Sequence, residues 1–233
     1  MPREPLPYIK LRLDATIGVE TSIQDEFDWA DWPLAAMTTA RTALVAKEAV
    51  VDALDSTVAS IRRSLDKPKD DPADLGPPGM VDDLHEMTRE AVGTGKIHFK
   101  HDAGKYGRFE KLTGGAQSRP ARMKEAELLI PAWQAADAAW SPLPGVTLAA
   151  LQALYALCQE TLRLLDVAES NATEGHKELD ALADGILDLL IAWYETITTL
   201  YAATTEIGAQ VRAQIPTTYS PPAATSPVVP APA

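Results

Sequence analysis

The chain has 233 residues, a length that allows one large domain or two small ones with a substantial core. Its 33 Asp and Glu against 21 Lys and Arg give a net charge of −12, which disfavours binding to nucleic acid and to anionic membranes. A single cysteine excludes an internal disulfide, and the lack of any 18-residue apolar run predicts no membrane span. The first residues contain no apolar signal segment, so we expect a cytoplasmic location and leave non-classical export open.

Residues 8–19 alternate between apolar and polar side chains, which is typical of a half-buried strand. Ile9, Leu11 and Leu13 belong to the apolar set. A helical step of four also fits part of the segment, but its β-branched residues favour the strand. We therefore predict an N-terminal extended segment or strand over residues 1–21.

Residues 22–215 are dominated by helical spacing and are predicted to form a helical bundle. Asp31 before a Trp-Pro pair marks the start of a long helix that continues to Leu65. Its apolar face repeats in steps of three and four, at Met37, Ala40, Leu44, Val51, Leu54, Val58, Ile61 and Leu65. A second long run begins near Thr147, with Leu148, Leu151, Tyr155, Cys158, Leu162 and Leu165 on its seam.

Three features are expected to interrupt the helical spacing. Residues 66–79 hold four prolines and two glycines, so they predict a loop or linker. Pro131 is expected to kink or break the helix that contains it. In residues 170–178, Asn171 and Glu174 have the spacing of a capping box, which predicts that a new helix begins there.

Residues 93–120 form a basic, glycine-rich insertion with a net charge of +4, so the remaining chain carries −16. Residues 96–112 alternate briefly and contain a turn-like Asp-Ala-Gly, which predicts a hairpin that pairs with residues 8–19. The candidate contacts for an anion or a partner are the basic side chains of this segment, Lys96, Lys100, Lys105, Arg108 and Lys111.

No arrangement of residues predicts catalysis, a cofactor or a metal. Cys158 lies on the apolar face of a helix, where a thiol is typical of a core. His98 and His101 lack the further ligands that a metal site needs. The Gly-Thr-Gly-Lys at residues 93–96 lacks the rest of a phosphate-binding loop. We expect a protein that is not an enzyme.

The predicted fold is mainly α, an antiparallel bundle of long helices that carries a small β element built from residues 8–19 and the hairpin 96–112. Residues 216–233 form a Pro-rich tail that we expect to be extended.

We therefore predict a non-enzymatic structural or protein-interaction protein. Self-association or another protein partner is expected, either through helical seams or by strand addition at the edge formed by Ile9, Leu11 and Leu13. The alternative is a module that binds an anionic ligand or nucleic acid through residues 93–120, although the acidic chain disfavours nucleic acid.

Overall fold

The computed structural model describes residues 3–24, 26–27, 29–66 and 79–216, which form helices and no strand. The helices are α1 (Leu6–Ile23), α2 (Leu34–Leu65), α3 (Met80–His98), α4 (Ala103–Glu110), α5 (Arg119–Asp137), α6 (Leu148–Leu200) and α7 (Glu206–Gln214). Two compact units are present: unit 1 lies within residues 1–52 and 173–233, and unit 2 comprises the described part of residues 53–172. The predicted mainly α, helical-bundle class is confirmed.

Unit 1 has its own hydrophobic core, to which α1, α7 and the unit 1 parts of α2 and α6 contribute. The core residues recur at helical spacing, so each helix turns one face inward. They include Ile9, Leu13, Met37, Leu44, Val51, Ile186, Leu190, Trp193, Ile197 and Val211. Lys47 and Glu178 form an ion pair at the edge of this core, between α2 and α6.

The predicted strand over residues 8–19 is wrong, and the predicted extended segment over residues 1–21 is wrong from Leu6 onward, because α1 occupies Leu6–Ile23. Ile9 and Leu13 are fully buried one helical turn apart, whereas Leu11 lies on the outer face and is 59% exposed. The buried face also contains Arg12 and Glu20. Because these two residues are charged, the apolar residues of α1 do not show a clear helical period in the sequence. The alternation of apolar and polar residues that they do show is typical of a strand.

Unit 2 is built around the packing of α3, α4 and α5 against one another. Its core also takes residues from the unit 2 parts of α2 and α6. The fully buried side chains include Leu65, Leu84, Phe109, Leu129, Trp133 and Leu151. On its surface, Arg62 of α2 binds Glu169 of α6 with an Nη2–Oε1 distance of 2.7 Å.

The predicted hairpin over residues 96–112 is also wrong. Residues 96–98 end α3, and α4 follows after a short turn in which the Asp102 side chain accepts hydrogen bonds from the first amides of α4. Gly95 is one of the glycines that made a helix improbable from the sequence of this segment. It lies inside α3, and an added Cβ would come within 2.7 Å of the Phe109 ring. This glycine therefore permits close helix packing and does not mark a turn.

The long helices agree with the periodic spacing, but no new helix begins at residues 170–178, and Pro131 does not break the helix that contains it. Helix α6 continues from Leu148 to Leu200 without a break at residues 170–178, and α5 contains Pro131 in its interior. Ala172 and Leu179 are buried on α6, so packing holds this stretch in the helix. The predicted linker, except for its two ends, and residues 217–233 of the predicted tail lie outside the described residues.

Candidate functional site

An aromatic cluster joins α3, α4 and α5 in unit 2 with the turn after α5. It consists of His98, Phe99, Phe109, Trp133 and Trp140. Phe99 stacks on Phe109 with ring centroids 5.6 Å apart, and His98 stacks on Trp140 at 5.3 Å. The Trp133 indole nitrogen donates a hydrogen bond to the Trp140 carbonyl at 3.1 Å. These contacts fix the end of α3, where the basic segment begins.

Two of the predicted contact cations serve the structure of unit 2 itself. The Lys96 ammonium donates a hydrogen bond to the Leu112 carbonyl at 2.6 Å. The Lys105 ammonium lies 5.4 Å from the centroid of the Phe99 ring, which is a cation–π distance. Both cations therefore have local roles that limit what they offer to a ligand.

The other three predicted cations are exposed. Lys100, Arg108 and Lys111 make no ion pair with any residue in the part of the chain that the structure describes. Near them in sequence, Ile97 is 75% exposed and borders a cleft of about 220 Å³ with Thr94, His98, Trp140 and Pro142. Free positive charge and exposed apolar surface thus occur together at the end of α3 and around α4.

The predicted strand-addition edge does not exist. Ile9 and Leu13 are core residues of unit 1, and Leu11 alone among the three is exposed. Their backbone amides and carbonyls belong to the hydrogen-bond ladder of α1, so they cannot pair with another strand.

Sequence reasoning missed an exposed apolar face on α6, which we call the outer stripe. It consists of Leu157, Leu164 and Val167, which are 52%, 44% and 47% exposed. Their steps of seven and three residues place them along one side of the helix. The spacing of these three residues is visible in the sequence. The neighbouring buried seam through Cys158 and Leu165 has the same period, so the spacing was assigned to that seam alone.

The outer stripe contains one charged position. Glu160 follows Leu157 by three residues and precedes Leu164 by four, so it lies on the same face. The Arg163 guanidinium binds the Glu160 carboxylate in a bidentate contact. Its Nε donates to Oε2 at 2.9 Å, and its Nη2 donates to Oε1 at 2.7 Å. The hydrogen bond from Arg163 lowers the pKa of Glu160. The negative charge of Glu160 on the stripe is therefore paired with the positive charge of Arg163.

The polar groups near α5 in unit 2 bind the chain's own backbone and side chains. Glu125 is buried and accepts hydrogen bonds from the Thr113 amide at 2.7 Å and from the Thr113 hydroxyl at 2.9 Å. Arg122 pairs with Asp82, and burial followed by the charge of Arg122 lowers the pKa of His85. These groups hold the loop before α5 in place.

The described residues do not supply the parts of a nucleophilic or metal site. Burial, with smaller effects of Asp83 and Asp66, raises the pKa of Cys158 to about 11, so its thiol is protonated at neutral pH. No group of three or more His, Cys, Asp or Glu side chains that could hold a metal occurs among residues 3–24, 26–27, 29–66 and 79–216. None of the described helices combines the length and apolar character that a membrane span requires.

The class of protein that these observations define is a mainly α helical bundle with exposed apolar and charged surfaces. Comparisons with protein-family models, curated proteins and solved structures give no match to the chain.

Proposed function

We propose that this protein is a non-enzymatic interaction protein that self-associates through the outer stripe of α6. The observation that supports the proposal is the exposure of Leu157, Leu164 and Val167 along one side of a regular helix. The three residues span about 15 Å of the helix axis, which is long enough for a seam with a second helix. Burial of such a face is the usual source of stability in helix pairs.

A second copy of the chain suits this stripe because each copy brings charges of both signs to it. In a two-fold pair the same patch contacts itself, so an acid and a base on one patch can face a base and an acid on the other. Glu160 and Arg163 provide such a self-complementary set. The predicted route through strand addition is not proposed again, because α1 has no strand edge.

Sedimentation velocity over a range of micromolar concentrations tests the proposal. We expect a species of twice the 25.1 kDa monomer mass to form as concentration rises. In Leu164→Gln each copy loses about 1 kcal/mol of apolar burial, so a dimer should weaken by about 30-fold. Leu128→Gln is the matched control, since Leu128 is similarly exposed in unit 2 but lies on α5.

Two outcomes contradict the proposal. One is a strict monomer at concentrations up to about 100 μM, where even an association of only 5–6 kcal/mol is detectable. The other is equal weakening by Leu128→Gln and Leu164→Gln, which would place the contact elsewhere. A cytoplasmic location remains part of the proposal and is tested by fractionation of cells that produce the protein.

A second candidate function is binding of an anionic ligand through the basic segment. The observation that favours it is the exposure of Lys100, Arg108 and Lys111 without an ion pair to the described residues. Fluorescence anisotropy with a labelled single-stranded DNA tests nucleic acid, and competition with pyrophosphate tests a small anion.

Substitution of these three cations by glutamine should lower the affinity and reduce the salt slope by about 2, at about 0.7 per lost phosphate contact. Arg63→Gln is the control, because Arg63 is also exposed and has no ion pair among the described residues of unit 2. An unchanged salt slope in the triple variant would remove this candidate.

A further inference from the structure

A groove in unit 1 has a volume of about 660 Å³, within the size range of small-molecule sites. Three parts of the chain form it: the residues at the start of α1, one turn of α2 and two turns of α6. The lining lies within residues 3–6, 48–52 and 176–183.

The floor of the groove is apolar. Val51, Leu179 and Ala183 are buried in the core of unit 1 and also line the groove. Leu179 and Ala183 lie one turn apart on α6, and Val51 faces them from α2. The part of the floor that a ligand can reach is formed by Pro5 and Leu6, which are partly exposed, whereas Val51, Leu179 and Ala183 lie buried beneath it.

The rim of the groove is acidic. Glu4, Glu48, Asp52 and Asp180 contribute four carboxylates against the single guanidinium of Arg3, which leaves a formal charge of −3 from these five groups. The Arg3 guanidinium is itself bound to α6, through Asp188 and the Asp184 carbonyl. Its positive charge is therefore directed to carboxylates and carbonyls of α6.

The four carboxylates are not equally available. The Lys10 ammonium binds Glu48 at 2.7 Å, and Asp180 has contacts of its own within the protein. Glu4 and Asp52 make no ion pair with any residue that the structure describes. Two acids at the rim of an apolar floor thus retain uncompensated charge, and the groove is complementary to a cation.

We propose that this groove binds a linear aliphatic polyamine. Such a molecule alternates ammonium groups with short methylene chains, so it can place its charges at the carboxylate rim and its methylenes on the apolar floor. Glu4 and Asp52, the two acids without an ion pair to any described residue, line the groove together, so two ammonium groups of one polyamine can face them.

Other ligand classes fit the groove less well. An anion meets a lining of net negative charge, and a neutral apolar molecule leaves the rim carboxylates without a counter-charge. A compact inorganic cation neutralises the rim but leaves the apolar side chains of Pro5 and Leu6 in contact with water. The combination of floor and rim is what selects the polyamine.

Isothermal titration calorimetry with spermidine tests the proposal, with thermal unfolding as a second measure. We expect saturable binding of one spermidine per chain and a rise in the unfolding temperature with ligand concentration. Hexaamminecobalt(III) carries the same charge without a methylene chain, and it should bind at least about tenfold more weakly because it gains nothing from the floor.

The variant Glu4→Gln/Asp52→Asn removes the two uncompensated charges and should weaken spermidine binding by about tenfold. The control Asp31→Asn/Glu195→Gln removes two exposed acids of unit 1 that lie outside the groove, and its affinity should stay within about twofold of the unchanged protein. Both pairs change the net charge of the chain equally, so the comparison separates the site from the general acidity of the protein.

Three results would overturn the proposal. They are the lack of saturable spermidine binding up to about 1 mM by both measures, equal affinity for hexaamminecobalt(III), and equal weakening by the two double variants. The second result would indicate a site that senses charge alone, and the third would indicate general attraction to an acidic surface.

Discussion

The buried carboxylate of Glu20 accepts a hydrogen bond from the indole nitrogen of Trp193 at 2.9 Å in the core of unit 1. The two residues lie on α1 and α6 and are 173 positions apart in the chain. A charged group inside a core is costly unless polar partners replace the water that it loses. The bond to Trp193 therefore offsets part of the cost of burying Glu20 on the inward face of α1.

Trp193→Phe should destabilise unit 1 more than an equal loss of aromatic volume does. The variant removes the donor to Glu20, a loss that costs about 1–3 kcal/mol in addition to the change in packing. Trp32→Phe is the matched control, since Trp32 is buried in the same core and makes no side-chain hydrogen bond among the described residues. Urea unfolding followed by circular dichroism measures both, and equal losses would contradict the assigned role of the bond.

Gly95→Ala should destabilise unit 2 although alanine favours helices. The new Cβ would come 2.7 Å from Cε1 of Phe109, and that ring is fully buried and stacked on Phe99. Overpacking of this kind costs about 1–3 kcal/mol. The loss should appear as a lower urea midpoint with an unchanged slope.

Gly93→Ala provides the control for this substitution. Gly93 lies in the same helix, and an added Cβ would meet nothing within 4 Å. This variant should gain up to about 1 kcal/mol from helix propensity. If Gly93→Ala and Gly95→Ala change the urea midpoint in the same direction, the close packing of α3 against Phe109 is not what requires the glycine.

The long helices could be predicted because their cores consist of apolar residues alone. Leu44, Val51 and Leu65 repeat at helical spacing, and α2 places all three in cores. Helix α1 could not be predicted in the same way. Its inward face includes Arg12 and Glu20, whose burial depends on distant residues such as Trp193 and Tyr194. A pattern of hydropathy cannot include partners that only the fold brings near.

The candidate sites also differ in how far they could be predicted, because one lies on a single helix and the other combines distant parts of the chain. The outer stripe lies on a single helix, so its spacing was available in the sequence. The acid-rimmed groove combines residues 3–6, 48–52 and 176–183, which only the fold brings together. The sequence also contained the cations of residues 93–120, but not the contacts that Lys96 makes with Leu112 and Lys105 with Phe99.

Glu125 should make the stability of unit 2 dependent on pH in the acid range. Burial alone raises the pKa of this carboxyl, but hydrogen bonds from Gly114, Thr113 and Ala116 outweigh burial and hold the pKa below its ordinary value. The unfolded chain therefore binds the proton more readily than the folded chain. The stabilisation is complete above the ordinary glutamate pKa of about 4.3 and is lost as pH falls through the lower folded pKa.

Glu125→Gln tests this contribution. At pH 7 the variant should be less stable by about 2 kcal/mol, because it loses charge-assisted hydrogen bonds to the loop. The difference from the unchanged protein should shrink as pH falls below about 4. His85 acts at higher pH, since its lowered pKa makes protonation destabilising below about 6.5; the charge of Glu125 raises this pKa, so the effect of His85 is larger in Glu125→Gln. A difference that is constant with pH would contradict the role of the Glu125 charge.

The thiol of Cys158 should resist alkylation in the folded protein. It is fully buried on α6, and burial followed by the charges of Asp83 and Asp66 raises its pKa to about 11. At pH 8 only about one thiol in a thousand is then ionised, and the thiolate is the reactive form. Iodoacetamide should therefore modify the native protein slowly and the urea-unfolded protein rapidly, as mass spectrometry would show.

The double variant Cys158→Ala/Ser60→Cys is the control, because it moves the single thiol to an exposed position on α2 in unit 2. This thiol should react in the native protein at a rate close to its rate in urea. Comparison of the two proteins separates burial from any general effect of the acidic surface on the reagent. If Cys158 reacted as fast as the Ser60→Cys thiol under native conditions, the buried seam through Cys158 and Leu165 would have to be open to solvent.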